Sequence, residues 1–561
     1  MQFNQWLPFL AWPRLTPALA RNEMLAGVTI GLMLLPQGVA YAALAGMPLV
    51  TGIYAALLPS LVAILWGATP RLGVGPTALT SLLIGASLSG MAEPGSAQWV
   101  SLAAWMAIMA GATQWLLGAL RSGWLVNLVT SPVLNGFTQA AGILILLSQL
   151  PALLGLRSSW SAALHDPNLH HFDPIALCFG AGGLTALLLL KRLAPKLPAA
   201  IIVIAACGIT SAFIGFAEQD GRIVGHLPAG IPNLALPELI SFKEASRLLL
   251  PVLMISLVSF LEVASSAQVE HRKAGTRWNE NQDLIAQGMA KVVAGFSGSF
   301  AISASFSRSA VTLHSGARSG WATVGAIGMI LITVLWLTPV LYHVPQAALA
   351  AVVVSAVINL IQPRSLLALF RISKVEGWIA LITLALTLAT APRLYWGVLA
   401  GVLLSLCHFL YQRLHPRIVE VGEHADGSLR SRKIWNLPPI APNTLAVRMD
   451  AEWDFASSSA LERYITNALQ QNPDIQSVFL DAQPINRIDV TGVESFLRLR
   501  QSLQKQGICL HIGGLKLPVQ EILERAGALT SGTDLKLYRT NTQALVAMRV
   551  SNATKSRNKR L

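Results

Sequence analysis

The sequence predicts an α-helical polytopic membrane protein with a small cytoplasmic α/β domain towards its C-terminal end. Three observations predict it. The 561 residues are 53% hydrophobic and only 12% charged, whereas soluble globular domains run near a quarter charged. Apolar windows extend from about Leu25 to about Tyr411 and then stop. Beyond them Asp450, Glu452, Asp454, Glu462, Arg463 and Asp481 fall among mixed residues typical of a soluble fold. The expected organisation is a transmembrane domain over 1–415, a linker over 416–440, a soluble domain over 441–550 and a basic disordered tail over 551–561. These sizes are ordinary for domains.

A spanning helix needs about 20 apolar residues. Fourteen segments meet or approach that length: 24–45, 52–68, 76–90, 99–119, 126–149, 174–191, 199–217, 249–268, 282–297, 304–315, 321–342, 345–361, 375–391 and 393–413. The third and tenth, opening near Pro76 and Ala304, are the weakest. Each follows Gly- or Ser-rich backbone, "LGVGPTALTS" and "GFSGSFAISAS". Short, interrupted segments at corresponding positions of two halves point to a transporter binding site near the bilayer midplane. Helix N-termini carry free N–H groups and a positive dipole end, so two that face each other would hold an anion. Structural kinks at both places are the other reading.

The charges fit this count. With the N-terminus inside, Arg71, Arg121, Lys191, Arg192, Lys196, Arg272, Lys273, Arg277, Arg318, Arg364, Arg371, Lys374 and Arg413 fall on cytoplasmic loops or ends, as basic residues do. The opposite side keeps few, among them Arg157, Arg222 and Lys243. The soluble domain is then cytoplasmic. The net charge of +14 is spread over loops, which argues against a nucleic-acid partner. A basic tail, Lys555 to Arg560, suits anionic lipid headgroups of the bilayer. "MQFNQWLPFLAWPRLTPALARNEM" has Pro and Arg where the apolar stretch of a signal would run, so no cleavable signal is expected. Cys178, Cys207, Cys407 and Cys509 have no metal or redox spacing and read as small core residues. His170, His171, His343 and His415 lie at loops and span ends. With no nucleophile–His–acid or metal-ligand cluster in the spans, neither an enzyme nor a metal or cofactor is expected.

Inside predicted spans, Glu262 in "VSFLEVASSAQ" is the main acid of the eighth and Arg308 in "ASFSRSAV" the arginine of the tenth. An arginine at the bilayer centre costs roughly 3 kcal/mol or more unless compensated, and intramembrane carboxylates mark ion or proton pathways. A structural ion pair between the two is the alternative. Ser303, Ser305, Ser307 and Ser309 serve either as donors or as small residues for close packing.

"LPQGVAYAALAGMPLVTGIYAALLPSLVAILWGATPRLGVGPTALTSL" and "NQDLIAQGMAKVVAGFSGSFAISASFSRSAVTLHSGA" resemble two signature regions of the SulP anion transporters, the sulfate permease type of the pendrin and prestin superfamily. The resemblance covers nearly the whole chain. Lys291, where relatives usually carry Asn, and Thr69-Pro70 depart from the pattern; neither is expected in the site. The resemblance implies fourteen spans as a seven-plus-seven inverted repeat, divided into core and gate domains. It places the anion between the N-termini of the third and tenth helices, opened by Thr77 and Ala78 and by Ser305 and Phe306. Gln37 and Tyr41 match pocket-lining positions, and Arg308 matches an arginine that adds positive field. Glu262 matches an acid of coupled transporters. Here it is followed by Ser265 and Ser266, which favours protons over sodium.

The C-terminal stretches "TLAVRMDA", "SSSALERYITNALQQ", "SVFLDA", "INRIDVTGVESFLRLRQSLQKQG" and "ICLHIGG" alternate strand and helix, the pattern of a sheet with helices packed on it. "INRIDVTGVESF" resembles the loop of STAS domains. Asp489 and Thr491 match its acid and its phosphorylatable hydroxyl, and both also suit a helix N-terminus. The resemblance implies a dimerisation or regulatory role.

The expected function is secondary transport of inorganic anions, sulfate first, by proton symport or anion exchange through alternating access. The expected place is the cell inner (plasma) membrane, as a homodimer. Bicarbonate, chloride and dicarboxylates fit the same pocket chemistry, and an anion sensor or channel signalling through the STAS domain is the rival reading.

Overall fold

The computed structural model describes residues 7–156, 173–194, 198–228, 230–530 and 532–558. Arg157, His170, His171, Lys196 and the last residues of the basic tail, 559–561, lie outside the described residues. The chain divides into two compact units, Met1–Ser405 and Leu406–Leu561.

The first unit is helical. Its helices are α1 (Pro17–Leu44), α2 (Leu49–Ala55), α3 (Leu58–Trp66), α4 (Ala78–Leu88), α5 (Ala97–Ala119), α6 (Ser131–Leu153), α7 (Pro174–Leu193) and α8 (Ala199–Phe213). They continue as α9 (Phe242–Ala274), α10 (Glu280–Phe296), α11 (Phe306–His314), α12 (Trp321–Ile332), α13 (Gln346–Val357), α14 (Pro363–Ile372), α15 (Lys374–Ala389) and α16 (Tyr395–Leu414). Every one of the fourteen predicted segments contains a helix, and α14 is an addition. Among the described residues, eight helical stretches are long and apolar enough to cross a membrane. The weak third and tenth segments are short helices, eleven and nine residues long.

Local chemistry sets the helix ends. Thr16, Ser96, Asp173 and Asn279 each accept a first-turn N–H of the helix that follows, which satisfies groups with no intrahelical partner. Ser241 and Glu244 bond reciprocally at the start of α9, a capping box. Gly275, with φ of 65°, ends that helix, as a residue without Cβ can.

Helix packing repeats itself under a shift of seven segments. The first segment (α1) packs on the eleventh (α12), and the eighth (α9) packs on the fourth (α5). Likewise the fifth (α6) packs on the thirteenth (α15), and the twelfth (α13) on the sixth (α7). Two halves built alike produce this pairing. Close approach needs small residues: a Cβ on Gly52 of α2 would lie 1.9 Å from the Gly38 carbonyl oxygen of α1.

The second unit holds a six-stranded sheet of order β4-β3-β5-β6-β7-β8, formed by β3 (Ile418–Glu423), β4 (Leu429–Ser431), β5 (Thr444–Met449), β6 (Ser477–Asp481), β7 (Cys509–Gly513) and β8 (Leu535–Tyr538). β5 to β8 run parallel, and β3 is antiparallel to both neighbours. Val447, Leu480 and Ile512 bury one face against Leu461, Phe496 and Val519 from the helices Ser458–Gln471, Val490–Lys505 and Leu517–Arg525. Phe479 and Ala446 point the other way, onto Ala544 and Met548 of the helix Asn541–Asn558.

Three expectations change. Residues 416–440 are not a linker, because they supply β3 and β4 to the sheet. Their strands are short, at and next to the sheet edge, with partly exposed residues, and carry little apolar alternation. The stretch 551–558, expected as disordered tail, continues the last helix. Cys178 and Cys407 are exposed rather than core residues.

Candidate anion-binding site

The two weak segments meet. β1 (Val74–Gly75) pairs antiparallel with β2 (Ser303–Ala304), with Val74 opposite Ala304 and Gly75 opposite Ser303. The Ser305 N–H donates to the Gly73 carbonyl at 2.9 Å, and the Gly73 N–H donates to Ser309 Oγ at 3.0 Å. Because each strand runs almost directly into a helix, the ladder holds the N-termini of α4 and α11 side by side while the helices leave in opposite directions. Gly73 makes this approach sterically allowed. A Cβ there would sit 2.5 Å from Arg308 Cβ and 2.8 Å from the Ser309 nitrogen.

The two ends differ in how they are capped. Thr77 caps α4, accepting from the Thr80 N–H at 3.4 Å. Its hydroxyl lies 3.0 Å from Thr80 Oγ1 and 3.1 Å from Glu262 Oε2, and Thr80 Oγ1 lies 3.4 Å from the same carboxylate oxygen. Glu262, half-buried on α9, thus presents its negative charge at the α4 N-terminus. Ser305 makes no side-chain cap on α11; its Oγ lies 3.1 Å from Ser307 Oγ. Ala78 is buried, and Phe306 is 59% exposed. The α11 end is therefore the open one, with first-turn N–H groups that no side chain of the helix cap takes.

Arg308 lies one turn into α11 and is 1% exposed. Its Nη1 donates to the Pro76 carbonyl at 2.8 Å and, weakly, to Gln37 Oε1 at 3.4 Å, and its Nε reaches the Gly73 carbonyl at 3.4 Å. Nη2 is buried without a partner. Among the described residues no carboxylate lies within 4 Å of this guanidinium, so Arg308 is not in a contact ion pair with Glu262. Its charge enters the site as field. Buried Tyr41, on α1, lies within electrostatic reach of both Arg308 and Glu262. Gln37, Tyr41, Thr77, Ala78, Ser305, Phe306, Arg308 and Glu262 thus gather from α1, α4, α9 and α11.

Lys291 was expected outside the site, and it touches none of the residues gathered there. It is fully buried on α10 and interacts electrostatically with Glu262. Thr80, which shares the Glu262 carboxylate, and the Gly73 and Pro76 carbonyls, which take Arg308, also escaped the sequence reading. A charge inside an apolar helix was the available signal for Lys291. Thr69, the other departure, donates to Asp283 Oδ2 at 2.6 Å, away from the helix ends.

In the second unit Asp489 caps the helix Val490–Lys505. Oδ1 accepts from the Gly492 N–H at 2.7 Å, and Oδ2 accepts from the Phe455 N–H at 3.1 Å. Thr491, two residues on, is exposed.

A polytopic helical unit whose two halves bring the starts of two short helices together, one of them uncapped, beside a buried arginine suits a membrane transporter for anions. Family comparison agrees: residues 21–383 match the sulfate permease family, and residues 438–544 match the STAS domain. The chain belongs to the sulfate permease family. It is 31% identical over 529 residues to the probable sulfate transporter 4.2 of Arabidopsis thaliana, covering 90% of this chain and 77% of the relative. It is 28% identical over 539 residues to a probable sulfate transporter of Mycobacterium tuberculosis, covering 94% and 95%. In fold it is similar to the murine solute carrier 26 family member A9 anion transporter in its inward-facing state, with a TM-score of 0.87 at 21% identity, covering 97% of this chain and 94% of that one.

Proposed function

We propose that this chain carries sulfate across the cell inner (plasma) membrane by alternating access, with a proton taken up at Glu262 as the coupling ion. The observation that carries the reading is the Glu262 carboxylate held on the Thr77 and Thr80 hydroxyls at the α4 N-terminus, beside the uncapped start of α11. A carboxylate there repels an incoming anion. A proton on it removes the repulsion and releases the threonine hydroxyls to donate towards the ligand. Sulfate and proton then favour each other's binding, and the linkage is reciprocal. Sulfate is the reading taken because both similar proteins named above at 28–31% identity carry that word. The basic loops support an N-terminus and a STAS domain in the cytoplasm, and we assign the STAS domain a role in homodimer formation.

Uptake of sulfate, bicarbonate, chloride and oxalate into proteoliposomes, with and without an inward proton gradient, tests this. Saturable sulfate uptake should rise with the gradient and with falling external pH. Glu262→Gln should bind sulfate with little pH dependence and lose gradient-driven accumulation. A Glu262→Gln protein that still concentrates sulfate in response to protons overturns the coupling assignment. Accumulation that needs an internal anion instead of a proton gradient would make the protein an exchanger, and the absence of flux alongside intact binding would make it a sensor.

A further inference from the structure

Lys291 is a buried charge that nothing above uses. Its side chain is wholly buried on α10, and Nζ donates to Gln114 Oε1 of α5 at 2.8 Å. The Gln114 amide donates in turn to the Ser256 carbonyl at 2.6 Å and to Ser259 Oγ at 3.0 Å, both on α9. Neutral groups therefore orient the amine, and no carboxylate among the described residues touches it. An ammonium inside a low-dielectric core needs a countercharge. The charge in electrostatic reach is Glu262, on α9. Glu262 in turn faces Arg308 from α11 and Tyr41 from α1. From α5 the facing side chain is the uncharged Gln114.

The charge count then has a consequence for the ligand. With Glu262 ionised, Arg308, Lys291 and Glu262 sum to one positive charge; with Glu262 protonated, the bound anion takes over as countercharge to the lysine, and the two cations sum to two. We propose that Lys291 sets the valence of the site: it supplies the second positive charge that makes the loaded core complementary to a divalent oxyanion. The inference rests on the anion-site assignment above. Without Lys291 the protonated core would carry one positive charge from Arg308, matched to a monovalent anion. Coulomb energy scales with ligand charge, so the residue acts on the ratio of divalent to monovalent affinity. It is a positioning residue for charge and makes no contact with the ligand.

The test uses the full-length protein and four forms: wild type, Lys291→Met, Glu262→Gln and the double variant. Equilibrium binding of radiolabelled sulfate is measured, with chloride and bicarbonate as competitors. Lys291→Met should weaken sulfate by about tenfold or more while the monovalent anions change by less than about threefold. Should Lys291→Met fail to fold because it strands the Glu262 charge, the decisive pair is Glu262→Gln against Glu262→Gln/Lys291→Met, which differ only in the lysine. The double variant should show the same loss of preference for the divalent anion. An unchanged sulfate-to-chloride ratio, or an equal loss for all anions, overturns the inference while leaving the transport reading intact. A wild-type protein that binds none of the anions overturns the site assignment and this inference with it.

Discussion

Replacing Arg308 by glutamine separates field from structure at the site. The guanidinium donates to the carbonyl of Pro76, the residue just before the α4 cap, and sits one turn into α11. Its distance from an anion on either N-terminus is then a little more than one helical turn, about 6–8 Å. At an effective dielectric of about 20, each unit of ligand charge is worth about 2–3 kcal/mol at that distance. Sulfate should therefore lose about that much more than chloride. Water in the open half of the site screens part of it, which leaves at least about a tenfold fall in the sulfate-to-chloride affinity ratio, or about 1.4 kcal/mol. Arg308→Lys keeps the charge but loses the planar fork that spans the Gly73 and Pro76 carbonyls. It should weaken both anions similarly and leave the ratio within about threefold. Competition binding on detergent-purified protein reads both. If Arg308→Gln lowers every anion by the same factor, the arginine holds backbone in place and the field argument is wrong.

Gly73→Ala drives a Cβ into the first turn of α11 and should cost about 1–3 kcal/mol by overpacking. The readout is a lower melting temperature with little remaining stabilisation by sulfate; wild-type values for both would disprove the close approach. Asp489→Ala removes the acceptor of two N–H groups and should destabilise the Val490–Lys505 helix by about 1 kcal/mol, seen as faster hydrogen exchange there with sulfate affinity unchanged. Arg500 donates to both carboxylate oxygens of Asp534, at 2.6 and 3.1 Å, and this holds the Asp534 carboxyl below its ordinary value. A depressed value in the folded state means that the pair stabilises above the unfolded pKa of about 3.9, and that this is lost as pH falls through the lower folded value. The second unit should thus lose stability below about pH 4, and Asp534→Asn should flatten that loss. An identical acid profile in the variant refutes the assignment.

The membrane class and all fourteen helical segments were legible because hydrophobic length and loop charge are local properties that a lipid environment enforces. So were the two weak segments, since Gly and Ser interrupt a span visibly. Arg308 and Glu262 were legible for a similar reason, as charges that the surrounding apolar residues cannot hide. Strands β3 and β4 were not, because strands of six and three residues with partial exposure leave no periodic signal above that of a linker.

By itself the sequence determined which groups are available: two interrupted helix starts, an arginine and a carboxylate inside spans, and the hydroxyls around them. Which of these act on one another was decided only by the tertiary fold. The antiparallel pairing of Val74–Gly75 with Ser303–Ala304 joins stretches more than two hundred residues apart. It sets Arg308 on the Pro76 carbonyl instead of on Glu262. The packing of α9 and α10 brings Lys291 into the field of Glu262. Coulomb interactions depend on separation and local dielectric, not on position along the chain, so a lysine that reads in sequence as a lone departure becomes, once folded, part of the charge that an anion meets.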